Sequence, residues 1–166
     1  MTQRSRNLIM WGLYALLFLA VLLVQTVVFG RMRFFGVKLN LMPVVIVCVG
    51  LWTGHEAGGL FGLLAALAWF LTGADDGSLS IVSFTLSGIL AGWACDNLFR
   101  RRLFPCLVLC LAALLAHEGV LFLLKFFLEG ADSALALWVP VTAGLSLLTA
   151  PVIYLLSKAI GKAGGN

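Results

Sequence analysis

The sequence predicts an all-α integral membrane protein, a single domain over residues 1–166 folded as a compact bundle of about six transmembrane helices. Three observations carry this reading. Hydrophobic residues make up 62% of the chain and charged residues 11%, with a mean hydropathy of +1.09. That lies far outside the composition of soluble domains, and leaves too little polar sequence to cover a water-exposed surface. The apolar runs also do not alternate, which excludes the strands of a transmembrane barrel and leaves helices as the backbone that satisfies its own hydrogen bonds in lipid. Finally, short polar breaks cut the apolar sequence into pieces of roughly membrane length.

The first piece covers residues 8–29. It follows a basic leader containing Arg4 and Arg6 and is longer than the ~7–15 apolar residues of a cleaved signal. No small-x-small site closes it, so it is expected to be an uncleaved signal anchor and the first span. A basic and aromatic segment, residues 30–38, has interfacial composition. Two brief apolar runs follow, residues 39–53 and 57–72, separated by Gly54-His55-Glu56. They read as two short spans or as one re-entrant hairpin, and the later topology is the same for both. Residues 73–78, with Gly73, Asp75, Asp76 and Gly77, form a turn. The fourth span covers residues 79–95, the fifth 103–124 and the sixth 135–156.

Charge placement orients the bundle. With six spans, Arg4, Arg6, Arg100, Arg101, Arg102, Lys158 and Lys162 fall on one side, whereas Arg31, Arg33, Lys38 and Lys125 fall on the other. The larger group marks the cytoplasm, which places both termini there. The net charge of +4 follows from this bias, and no nucleic-acid partner is needed to explain it.

Small residues recur at intervals of four. Gly54, Gly58, Gly62 and Ala66 line one face of the third helix, and Gly88 and Gly92 continue the pattern in the fourth. Thr142, Ser146 and Ala150 do the same in the sixth. Such ladders let helix backbones approach closely in lipid, either within the bundle or against another membrane protein. Glu118, deep in an apolar run beside His117, is the candidate intramembrane polar site. Its role is open between a proton relay, a ligand contact and an interhelical hydrogen bond. Neighbouring helical residues point about 100° apart, so His117 and Glu118 are not a facing pair. Asp96 and Arg100 have the spacing of a local ion pair. Cys48, Cys95, Cys106 and Cys110 read as small membrane hydrophobes. Cys106 and Cys110 lie one helical turn apart, but no second pair at a matching spacing accompanies them, so no metal and no cofactor is expected. Nor is there a nucleophile elbow, phosphate loop or carboxylate dyad, and the chain is not expected to be an enzyme.

The layout resembles the MreD family, the small membrane subunit of the bacterial rod-shape (elongation) machinery. The resemblance rests on residues 39–47 (LNLMPVVIV), 58–64 (GGLFGLL), Leu71-Thr72-Gly73, residues 86–92 (LSGILAG) and residues 149–156 (TAPVIYLL). It implies a non-enzymatic scaffold in the bacterial inner membrane that binds MreC, a single-span protein with a periplasmic domain. Through MreC it connects MreB filaments to RodA and its transpeptidase partner during peptidoglycan synthesis. The chain departs from the family pattern at residues 67–70, which lack the usual Asp, and at residues 76–80, so no functional residue is carried over there. The family is similar in turn to the substrate-binding S components of energy-coupling-factor vitamin transporters. This implies an S-component-like bundle and supplies the alternative function. For that alternative, Asn40, Thr85, Glu118 and Thr142 are the candidate cavity residues. A reporter fused after Lys162 is expected to be active on the cytoplasmic side, and a periplasmic signal would reverse the orientation.

Overall fold

The computed structural model describes residues 3–29, 39–73, 79–97, 102–130 and 133–164. Among these the secondary structure is helical throughout. Helix α1 (Gln3–Leu23) runs into a π-helical stretch (Val24–Phe29), followed by α2 (Met42–Thr53), α3 (His55–Leu71), α4 (Leu79–Asn97) and α5 (Leu103–Glu129). A 3-10 turn (Ser133–Leu137) leads into α6 (Trp138–Leu147), and α7 (Ala150–Gly164) ends the described chain. The basic–aromatic segment 30–38, residues 74–78 of the acidic turn, and Arg100 with Arg101 lie outside the described residues.

Among the described residues three helices are long and apolar enough to cross a membrane: Arg6–Phe29, Leu79–Asn97 and Leu103–Leu128. The pair Leu135–Leu147 and Ala150–Lys162, bent by 43°, makes a fourth span if taken as one. Six equal crossings are therefore not what the helix lengths provide. Helix α2 has 12 residues and α3 has 17, or roughly 18 and 26 Å at 1.5 Å per residue, against a hydrocarbon core of about 30 Å.

Helix α2 can be short because it does not meet lipid. Every residue from Met42 to Trp52 is buried, so its apolar circumference faces other helices on all sides. Elsewhere the apolar surface points outward. Leu8, Leu16 and Leu23 of α1, Leu60 and Leu64 of α3, Val82 and Leu86 of α4, and Phe127 and Leu128 of α5 are all exposed. A surface of this kind is compatible with lipid as solvent and far exceeds the apolar patches of soluble monomers.

The prolines set helix starts. Pro43, Pro105, Pro140 and Pro151 each fall in the first turn of α2, α5, α6 and α7, where the missing N–H removes no intrahelical bond. Pro151 also explains the bend in the expected sixth span. It has no N–H to give the Leu147 carbonyl, and the chain there tightens into i→i+3 bonds, Leu148 N–H to Leu145 O (3.2 Å) and Thr149 N–H to Ser146 O (3.2 Å). Beyond it, α7 continues to Gly164 and buries a stripe of Ala150, Ile153, Tyr154, Ser157 and Gly161. The Tyr14 hydroxyl of α1 donates to the Ser157 carbonyl on this stripe (3.3 Å).

Helices α2, α3 and α4 form the tightest part of the bundle. At Gly54, φ is 87°, a value that favours glycine, and this residue turns α2 back into α3. Helices α3 and α4 then run antiparallel, with Gly54 against Gly92, Gly58 against Gly88 and Gly62 against Phe84. A Cβ on Gly62 would sit 2.6 Å from the Phe84 carbonyl oxygen, and one on Gly58 would sit 2.7 Å from that of Gly88. Gly50 of α2 joins the same crossing, with the Gly88 oxygen 2.7 Å from its Cβ position. The opposing groups are backbone, so a side chain at these points moves a whole helix. Gly62→Leu is expected to cost at least about 3 kcal/mol through overpacking, read as loss of monodisperse protein or a lowered Tm in detergent. Unchanged stability would remove the close-approach argument.

Candidate functional site: a buried polar clamp and a lateral cleft

Residues 39–41 are not helical, yet all three are buried. Non-helical backbone at membrane depth survives only where protein groups satisfy it. Gln25, four residues before the end of the π-helical stretch, supplies two of the bonds. Its Nε2 donates to the Leu39 carbonyl (2.6 Å), and its Oε1 accepts from the Leu41 N–H (3.0 Å). The Asn40 N–H donates to Ser146 Oγ of α6 (3.0 Å). The Asn40 side chain works in both directions, with Oδ1 accepting from the Met42 N–H (3.3 Å) and Nδ2 donating to Glu118 Oε1 of α5 (3.2 Å). Asn40 thereby covers the first orphan donor of α2, Pro43 has none, and the Val45 N–H already reaches Leu41 O (3.1 Å).

Glu118 therefore bonds Asn40 and holds the start of α2. His117, next in sequence but on another face, turns to α4, where its Nδ1 lies 3.0 Å from Ser83 Oγ and its ring stacks on Phe84 at 4.9 Å. Of the four residues proposed for a ligand cavity, the structure brings together Asn40 and Glu118. Thr85 instead bonds its own helix at Ile81 O (2.7 Å), and Thr142 bonds Trp138 O (2.9 Å). Such back-bonding satisfies a hydroxyl in lipid without a partner helix. Gln25 and Ser146 complete the clamp. Gln25 had a readable signal, a polar amide in an apolar run, whereas Ser146 appeared only as one member of a small-residue ladder.

The small-residue ladder Gly54, Gly58, Gly62 and Ala66 faces inward, with Ala66 fully buried, and Gly88 and Gly92 answer it from α4. Asp96 lies 3.3 Å from His55 Nδ1, at the end where α2 turns into α3, and its expected partner Arg100 lies outside the described residues. Cys48 of α2 meets Cys106 of α5 at 3.6 Å, and Cys106 is 4.0 Å from Cys110, so the pair visible in the sequence has a third thiol beside it.

A cavity lies between α4 and α5. These helices diverge and leave about 370 Å³, open to one side and walled by Val82, Leu86 and Leu90 against Ala112, Ala116 and Val120. Its floor carries His117 and Ser83. Ala112 and Ala116 are spaced by four and present a small-residue stripe to the opening. No family model, curated protein or solved structure matches this chain.

Glu118→Gln keeps an oxygen for Asn40 and is expected to leave thermal stability in detergent unchanged. Glu118→Leu and Gln25→Leu each strand buried polar groups and are expected to cost about 1–3 kcal/mol. A Glu118→Gln protein as unstable as Glu118→Leu would show that the ionised carboxylate itself is required.

Proposed function

We propose that this protein is a non-enzymatic scaffold subunit of the bacterial elongation complex, resembling MreD. It sits in the inner membrane with both termini cytoplasmic and binds the membrane span of MreC. In this reading six helical rods cross the bilayer, α6 and α7 counting as one. Helix α2 is the shallow rod, held entirely by its neighbours. Through MreC the subunit reaches MreB, RodA and its transpeptidase partner.

The cleft between α4 and α5 is the observation that supports this most directly. It is elongated along two helices, apolar on its walls and lined on one side by alanines. A further transmembrane helix fits that chemistry, because small residues allow close approach where lipid supplies no hydrophobic drive. The S-component alternative draws on the cluster of Gln25, Asn40, Glu118 and Ser146. The bonds from Gln25, Asn40 and Ser146 reach the backbone of residues 39–42, and Asn40 bonds Glu118, which favours a structural use of the cluster.

Ala116→Trp fills the cleft at a lipid-facing position. It is expected to reduce MreC recovery in mild-detergent pull-downs by about tenfold, with Tm within a few degrees of wild type, and to round rod-shaped cells when it is the sole copy. Full recovery of MreC with this variant would exclude the cleft. Copurification with a cytoplasmic ATPase module or a tightly held small molecule would favour the transporter alternative.

A further inference from the structure

Cys48, Cys106 and Cys110 place three sulfurs within 4.8 Å of one another, and all three residues are fully buried. Cys106 and Cys110 share one face of α5 by their four-residue spacing, and α2 brings Cys48 against them from 58 residues away in sequence. None of the three forms a disulfide. A metal–thiolate bond of about 2.3 Å sets the sulfurs of a trigonal site about 4.0 Å apart. Two sides of the sulfur triangle, 3.6 Å for Cys48–Cys106 and 4.0 Å for Cys106–Cys110, lie near that spacing, and the third is within 4.8 Å.

We propose that these three cysteines form a three-coordinate, all-sulfur site for a soft monovalent cation, Cu(I). Donor chemistry selects the ion. Sulfur ligands favour Cu(I), Zn(II) and iron–sulfur clusters over hard cations. A structural zinc site takes four ligands, and among the described residues this cluster supplies three. The sulfurs bind as thiolates, each coordinating thiol giving its proton up to solvent as the cation enters, and Cu(I) is the soft ion whose coordination three sulfurs complete by themselves. Access comes from the end of α5 that bears Arg102, since Cys106 lies one turn inside it and Arg102 is exposed. That is the end the charge distribution assigns to the cytoplasm, where thiols stay reduced.

The test uses the full-length protein in detergent, reduced and anaerobic, titrated with Cu(I) against bicinchoninate. One Cu(I) per chain is expected, with binding weakened by about 100-fold in Cys48→Ala and in Cys110→Ala and unchanged in Cys95→Ala. X-ray absorption of the wild-type complex, which needs no variant to fold, is expected to show three sulfur neighbours. The proposal is overturned if the wild-type protein takes up no Cu(I), or if Cys48→Ala binds as tightly as wild type. It is overturned equally by nitrogen or oxygen neighbours, by fewer than three sulfurs, or by Zn(II) displacing Cu(I) at equal concentration.

Discussion

Three glycines from three helices meet at one point, and the rest of the bundle is arranged around that contact. Gly50 of α2, Gly58 of α3 and Gly88 of α4 put backbone against backbone, with 2.8 Å between the Cβ position of Gly58 and the Cα of Gly50. In water, burial of larger side chains would hold such helices together. In lipid that drive is absent, and close packing replaces it. The contact fixes the separation and register of the three helices together. It thereby determines where Cys48 stands relative to α5 and how far α4 is drawn away from α5 toward α2 and α3. The cleft between α4 and α5 is the counterpart of that approach.

The inside and the outside of the protein obey different rules. Inside, polar groups that interrupt the apolar sequence are turned to structural use: Gln25 and Asn40 dress an unwound stretch of chain, Glu118 and Ser146 hold Asn40, and the hydroxyls of Thr53, Thr85 and Thr142 return to their own helices. Outside, long apolar side chains of α1, α3, α4 and α5 project with few polar atoms among them. A protein built this way keeps its specific chemistry internal and offers neighbours shape.

Much of this could be read before any coordinates. The all-helical character and the small-residue face from Gly54 to Ala66 follow from local composition or from spacing within one helix. What stayed hidden depended on partners distant in sequence. Gly50 continues the spacing of Gly54, Gly58 and Gly62 but sits in a different helix, and its importance comes from Gly88. Cys48 looks like any membrane cysteine until α2 lies on α5. Ser146 is a small residue in a small-residue row until the Asn40 amide reaches it. The brevity of α2 was concealed for a related reason. Residues 39–53 are apolar but for Asn40 and Thr53, and composition does not register that the first three are held by side chains instead of by helix.

The unwound entry to α2 bears on how the protein is made. A segment of 12 helical residues preceded by buried, non-helical backbone has little to hold it in a bilayer by itself. The groups that complete its bonding arrive late in synthesis, Glu118 lying 78 residues and Ser146 lying 106 residues beyond Asn40. Assembly therefore cannot follow the order in which the ribosome delivers the chain. The centre of the molecule is finished from its periphery, once translation has passed the last of those anchors.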